Sequence, residues 1–584
     1  MCPAFHWWIL RNFATLKMLR KIRKITLRTL LVFAILLAVL GVYFAFAIWI
    51  DVPEIKNDTT LTWKRKTISK EFYKVNQNWL KHSKSGLWEL YVEGEAYERG
   101  VANGMLTKEL HEFQEDAFIN QIRILVPNLT YLNYLKFFVG YFNRHLPDHI
   151  TEEYKEEILG ISKFASDKYD FIAPKYHRIL NYHGAHDIGH ALQDKNMTVG
   201  CTSFSVWNKK SADGKLLVGR NFDFYSGDDF AKNKIVQFTN PAKGYKFVTV
   251  TWSGFIGACS GMNEKGITVT INASKSSIPT DVATPIALLA REILQYAKNI
   301  EEAIAIAEKR KVFVSESILI GSAPDNRTIS IEKSPEKMDV YEVQNTSQII
   351  CPNHYQGKAY TNDLSNLNNQ IESSSLYRSI RLRQLLENTD TLNYLGAATI
   401  LRDQKGLNNK NIGLTNEKSL NQLLAHHAVI FKPQDKLMWV SANPFQCGEF
   451  ICYNLDSVFA KAKDLEENEP MNVSKYTIPR DPFLETKDYK NFMLFKQLKS
   501  YIQFITKKSN KIVLPENLEN AFVTTNPESY YMYQILGDYF LSRKNTEKAA
   551  GYYELALTKE IATLKEEKQI REDLKECQKI KPTK

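Results

Sequence analysis

Cysteine is scarce in this chain and charge is unevenly spread. Seven cysteines, at positions 2, 201, 259, 351, 447, 452 and 577, are scattered through 584 residues. They are too few and too irregular for a disulfide framework, although Cys447 and Cys452 stand close enough to pair in an oxidising compartment. Acidic residues are missing from the first fifty positions, which hold Arg11, Lys17, Arg20, Lys21, Arg23, Lys24 and Arg28. These seven supply most of the formal net charge of +11 and leave only +4 for the rest. A nearly balanced body removes the main argument for nucleic acid as a partner. Apolar residues make up 44% and aromatics 12%, so disorder is not the default either.

Directly after the basic cluster, Thr29 to Ile50 runs without a charge. At about 1.5 Å per residue it can span a hydrocarbon core of about 30 Å. Positive residues before the run, with Asp51 and Glu54 after it, put the N-terminus in the cytoplasm and the body outside. Ala45-Phe46-Ala47 fits a signal-peptide cleavage site, but the run exceeds a usual apolar core of 7–15 residues, which favours an uncleaved single-pass anchor. A buried core helix fits the polarised flanks less well.

Residues 51–85 are polar and lysine-rich and read as a stalk. Residues 86–200 carry helical spacings, as in EEYKEEILGISKFAS, and read as a helical precursor segment. From Thr198 the pattern changes to short β-rich runs (CTSFSVW, KLLVGRNFDF, KIVQF, KFVTVTW, GITVTINAS) separated by turns such as Asp213-Gly214 and Asn240-Pro241. Two helices follow, the second capped by Asn299 with Glu302 three residues on. Then come the strands SILIGSA, RTISIEK and MDVYEV, a helix from about Ser374 to Glu387, and three late strands. Strands and helices that stay segregated predict an α+β domain over 201–464. Residues 465–584 read as a helical tail, in which Tyr533, Leu536, Gly537, Phe540, Ala549, Tyr553 and Ala556 fall at the offsets of one tetratricopeptide repeat or a plain helical hairpin. The tail is a possible surface for a protein partner.

The chemistry concentrates at Val199-Gly200-Cys201-Thr202, followed some twenty residues on by Gly219-Arg220-Asn221-Phe222-Asp223. A thiolate is the reactive form of cysteine, and cations beside it favour it. Cys-Thr, then Gly-Arg-Asn-x-Asp, then Gly261-Met-Asn-Glu-Lys-Gly266 resembles the choloylglycine hydrolases, which are N-terminal-nucleophile enzymes. The long segment before Cys201, Pro352-Asn353-His354 and the stretch LMWVSANP resemble more closely the related acyl-CoA:6-aminopenicillanate acyltransferases, peptidase family C45. The resemblance covers roughly residues 90–460.

It implies a four-layer αββα sandwich and self-cleavage between Gly200 and Cys201, by attack of the thiol on its own preceding carbonyl. The freed α-amine, with an intrinsic pKa of about 7.7–8.0, then serves as the base on the nucleophile's own residue. By the same resemblance Asp223 bonds this amine, Arg220 lies beside the thiol, and Asn272 and Asn353 lie near the oxyanion. Arg378 is the site arginine, with Arg381 one helical turn away as the alternative. The expected substrate is a small N-acyl amide, linear and non-peptide. Water attacks the acyl-thioester in a hydrolase and an amine attacks it in an acyltransferase; a silent membrane-surface scaffold is the rival of another class.

No cofactor is expected. His183, His186 and His190, with His177 and Asp187 nearby, could ligate zinc. However, Gly184 and Gly189 interrupt the helix and no glutamate follows the first histidine, so no metal is expected. This segment is expected instead to shape the cleavage site or the substrate mouth. A reporter fused after residue 60 should be active only outside the cytoplasm, with the protein retained in salt-washed membranes. Release of the body into the soluble fraction would indicate a cleaved leader.

Overall fold

The computed structural model describes residues 3–126, 128–191, 199–276, 282–508 and 512–579. Its strands, in chain order, are β1 (Lys66–Ser69), β2 (Phe72–Val75), β3 (Asn78–His82), β4 (Trp88–Gly94), β5 (Val199–Asn208), β6 (Gly214–Phe224), β7 (Ile235–Pro241), β8 (Phe247–Thr251) and β9 (Ser260–Asn263). They continue with β10 (Ile267–Ala273), β11 (Glu316–Ser322), β12 (Arg327–Lys333), β13 (Met338–Tyr341), β14 (Gln348–Cys351), β15 (His427–Lys432), β16 (Leu437–Ser441) and β17 (Phe450–Asn454). One sheet runs β1-β2-β3-β4-β7-β8-β9-β10-β11-β12-β13 and the other β14-β5-β6-β15-β16-β17. Pairing is antiparallel except between β4 and β7.

The two sheets share a core in which Trp79, Phe238, Val248 and Leu319 of the first meet Val218, Val429, Phe431 and Val440 of the second. Helices Ile286–Tyr296 and Ile300–Lys309 cover the first sheet with Ile286, Leu289, Ile293 and Ala303. Helices Ser375–Glu387 and Tyr394–Leu401 cover the second with Leu382, Leu386, Ala397 and Leu401. This is a mixed α+β chain. The Asn299 cap forms as expected, its side chain accepting from the Glu302 N–H at 2.9 Å.

Residues 51–85 are not a stalk. They enter the first sheet as β1–β3, and the helical segment after them begins with β4. Phe72, Val75, Trp79 and Leu80 are buried, and the Trp79 indole N–H donates to the Ala462 carbonyl at 2.8 Å. The intervening lysines disguise the apolar alternation because their ends reach over the surface: Lys74 and Lys81 donate to the carbonyls of Leu465 and Glu469.

At the N-terminus, helix Pro3–Ala47 contains a stretch, Met18–Phe44, long and apolar enough to cross a membrane. The C-terminal helices gather around Phe492, Ile502, Phe522, Leu536 and Tyr553. Helices Tyr530–Ser542 and Thr546–Leu557 form a hairpin in which Gly537 abuts the Tyr553 ring. The tail is joined to the body by reciprocal hydrogen bonds between Leu414 and Asn526 and by Glu560, which accepts from Lys410 and Lys418.

A buried ion triad ties the segment before Cys201 to the body after it. Glu157 receives Arg99 at 2.8 Å and Arg291 at 2.6 Å, and all three side chains are buried. Burial opposes the Glu157 charge, but the two guanidinium groups hold its carboxyl below the ordinary value. Removing one member of such a group strands buried charge at a cost of about 3–5 kcal/mol. Glu157→Ala should therefore lose about that much stability in denaturant unfolding, whereas a loss below about 1 kcal/mol would show that the triad does not join the two parts.

Candidate active site

The site is built where β5 begins. Antiparallel register sets Gly200 opposite Asp223, Cys201 opposite Phe222 and Ser203 opposite Arg220. On the other edge, β14 pairs Cys351 with Ser203, so the chain leaving β14 through Pro352 carries Asn353 alongside Cys201. Asn353 Oδ1 accepts the Cys201 N–H at 2.9 Å and an Arg378 N–H at 2.8 Å. Its amide nitrogen donates to the Ala273 carbonyl at 2.8 Å.

Arg378, on helix Ser375–Glu387, also donates to the Cys201 carbonyl and to Thr202 Oγ1, each at 2.8 Å. One guanidinium thus holds both sides of the strand start. Arg381, a turn further along, is committed to Asp403 at 2.8 and 2.9 Å. The structure therefore brings Arg378 rather than Arg381 to Cys201.

Arg220 comes from β6, with Nη2 at 3.6 Å from the Cys201 sulfur and Nη1 on Ser260 Oγ at 2.6 Å. Its Nη2 also donates to the Ile271 carbonyl. Burial pushes the Cys201 thiol up to about 11, with Arg220 opposing the shift and Asp223 adding to it. Neither carboxyl oxygen of the buried Asp223 has a hydrogen-bond partner. Desolvation lifts that carboxyl to about 8 against the pull of Arg378 and Arg220, so it is largely protonated at neutral pH.

Asn272 stands one step back. It accepts from Ser203 Oγ at 2.9 Å and donates to the Cys351 carbonyl at 2.7 Å, bracing the two strands beside Cys201 rather than touching it. The structure thus gathers Cys201, Arg220, Asp223, Asn353 and Arg378 around Gly200, with Asn272 behind them.

Some polar groups here have no motif to announce them. Ser260 passes from Arg220 to His427 Nε2 at 2.9 Å, and His427 Nδ1 meets His426 Nδ1 at 2.8 Å. Burial drives both histidines well below their ordinary pKa. His183 is used structurally: its Nδ1 meets the Ile179 carbonyl at 2.9 Å and its Nε2 accepts from the Ile256 N–H at 3.0 Å. The side chains of His186 and His190 lie outside the described residues, and among the described residues no metal-ligating cluster is gathered. Cys447 and Cys452 are both unpaired and buried.

With this geometry in hand, similarity to known proteins can be placed on it. Residues 207–444 match the family described as acyl-coenzyme A:6-aminopenicillanic acid acyl-transferase. The matched segment is similar to that family and makes up 238 of the chain's 584 residues. It holds Arg220, Asp223, Asn272, Asn353 and Arg378, while Gly200 and Cys201 lie just before it.

Two curated relatives are each 24% identical. One, from Archaeoglobus fulgidus, is uncharacterised and aligns over 258 residues, 41% of either chain. The other, Protein dcd1B of Dictyostelium discoideum, aligns over 272 residues, 43% of this chain and 51% of its own. The chain thus spans about half the length or less of the curated relatives it matches. Among solved structures, a Caenorhabditis elegans ortholog of N-acylethanolamine-hydrolyzing acid amidase is 16% identical, covering 40% of this chain and 93% of its own with a TM-score of 0.29. The C2A mutant of conjugated bile acid hydrolase from Clostridium perfringens is 12% identical, covering 47% and 95% with a TM-score of 0.31.

The φ of Gly200 lies outside the left-handed region, so a larger residue there would meet crowding from neighbouring side chains rather than backbone strain. A Cβ there would sit 2.6 Å from Gln422 Nε2 and 3.3 Å from Arg378 Nη2. Gly200→Ala, made in a Cys201→Ala background so that cutting cannot interfere, should lose about 1–3 kcal/mol in chemical unfolding, as overpacked sites do. An unchanged midpoint would show that Gln422 swings aside freely.

Proposed function

We propose that this chain is a self-cleaving cysteine N-terminal-nucleophile amidohydrolase. The observation that carries the reading is the Gly200–Cys201 peptide itself. The Cys201 sulfur stands beside Arg220, its N–H is held by Asn353, and the unpartnered carboxyl of Asp223 is paired across the ladder from Gly200. A four-layer arrangement of helices, two sheets and helices accompanies it, with helix Pro3–Ala47 as a membrane anchor and the body outside the cytoplasm.

In the uncut chain the Cys201 thiol loses its proton beside Arg220, which favours the thiolate. The sulfur attacks the Gly200 carbonyl carbon, the C–N bond breaks as the proton reaches nitrogen, and water hydrolyses the Gly200 thioester. The freed α-amine stays beside Asn353 and Asp223 and acts as base and then acid for external substrates. A linear, non-peptide N-acyl amide acylates the sulfur, its amine leaves with a proton, and water releases the acid. Attack by a second amine on the same thioester is the acyltransferase alternative, favoured by the family match of residues 207–444.

The purified wild type should run as two fragments, the C-terminal one beginning Cys-Thr-Ser-Phe, and Cys201→Ala should stay whole and inactive. An active, full-length wild type would remove self-cleavage from this reading.

Burial of Asp223 makes the stability of the uncut chain depend on pH. The folded carboxyl holds its proton more tightly than the unfolded one, so the uncut chain loses stability as pH climbs from about 4 towards 8. Asp223→Asn in the Cys201→Ala background should therefore raise the melting temperature at pH 8 and much less at pH 4. Equal effects at both pH values would remove Asp223 from this role.

A further inference from the structure

Gln422 is fully buried, and neither its amide nitrogen nor its amide oxygen has a hydrogen-bond partner. A buried amide with neither group paired is costly to keep, so its presence here calls for a reason. Its backbone is fixed on both sides. Asn421 donates to the Asp403 carbonyl at 2.8 Å and accepts from the Leu423 N–H at 2.9 Å, and Leu423 itself sits at a left-handed φ of 54°. Asp403 is the residue that grips Arg381, so helix Ser375–Glu387 holds the Gln422 loop with one arginine and the start of β5 with the other.

Two donors converge on one point beside the Gly200 Cα. The position of an L side chain's first atom lies 2.6 Å from Gln422 Nε2 and 3.3 Å from Arg378 Nη2. Carbon at that point is overpacked. An oxygen there needs a shift of only about 0.1–0.6 Å to accept a hydrogen bond from Gln422, and Arg378 lies close to the same range. An ammonium group at that point would face donors only, one of them cationic.

On the acyl-cysteine reading given above, on which this inference rests, Gly200 is the first acyl group that the Cys201 sulfur carries. Its Cα then marks where the α-carbon of a later acyl group lies. We propose that Gln422 and Arg378 read that α-carbon. They select N-acyl amides whose acyl chain bears an α-hydroxyl at the L-side-chain position and disfavour an α-methyl branch. With the acyl chain following the path of the Gly200 nitrogen, the preferred configuration is (R)-2-hydroxyacyl. The thiolate attacks the amide carbonyl, a C–S bond replaces the C–N bond, and the amine leaves with the proton held by the Cys201 amine. Water then yields the 2-hydroxy acid and the free thiol.

The test uses the cut protein with both fragments retained; variants that stay whole are opened at a protease site placed before Cys201. The 4-nitrophenyl esters of octanoic, 2-methyloctanoic, (R)-2-hydroxyoctanoic and (S)-2-hydroxyoctanoic acids are the probes. Mass gain at Cys201 is followed, each rate divided by that of the same ester with free cysteine methyl ester. The (R)-hydroxy ester should exceed both the (S)-hydroxy and the 2-methyl ester by ~10-fold or more, the scale of one hydrogen bond.

Gln422→Leu should erase the (R) preference while leaving the melting temperature equal or higher, because an unpaired amide gives way to an apolar group. Gln422→Ser should bring the 2-methyl ester to within ~3-fold of octanoyl by making room. Enantiomers reacting equally in the wild type, or a preference undiminished in Gln422→Leu, would overturn the proposal. Failure of all four esters to acylate Cys201 in any chain would instead overturn the nucleophile reading, and this inference with it.

Discussion

The guanidinium of Arg378 is the constraint on which the site depends. It is buried with no carboxylate bonded to it, and its charge is met by the Cys201 carbonyl, Thr202 Oγ1 and Asn353 Oδ1. Burial lowers its pKa, while Asp223 and Cys201 pull the other way. Stripping water from such a group costs several kcal/mol, offset here by the hydrogen bonds of its two terminal nitrogens, while Nε has no partner. Those bonds fix the start of β5, the turn leaving β14 and helix Ser375–Glu387 relative to one another. The sulfur, the peptide before it and the facing carboxyl inherit their positions from that arrangement.

The segment before Cys201 belongs to the same packing unit as the body after it. Strands β1–β4 enlarge the sheet that β7–β13 complete, through the parallel pair β4–β7. The Glu157 triad adds a second tie that cannot be undone without stranding buried charge. A cut after Gly200 would therefore leave two fragments joined by a sheet and an ion triad.

Two unsatisfied groups face this peptide. Asp223 has two unpartnered oxygens and Gln422 an unpartnered amide, both within the shell that touches Gly200. Elsewhere, buried charges such as Arg99, Arg178 and Arg291 meet carboxylates directly. The groups left open here cost stability where a later amine or acyl group would arrive.

How much of this was readable in the chain depends on range. The pairing of Cys201 with Arg220 and Asp223 was legible because one hairpin carries all three, and period-two patterning sets its register. The Asn299 cap and the strands after Thr198 were legible for the same local reason. The strands of residues 66–82 were hidden, because lysines that fold back over the sheet look like solvated charge until a partner strand exists. The choice between Arg378 and Arg381 needed the facing side of a helix to be known. Gln422 had no signal at all, being one polar residue in a loop whose meaning arises from an atom more than two hundred positions away. Local spacing and periodicity determined the hairpin that carries Cys201 and the α+β class. Tertiary packing alone decided which donors converge on Gly200, because burial, and hence the strength of each charge and hydrogen bond, is a property of neighbours that only the folded chain supplies.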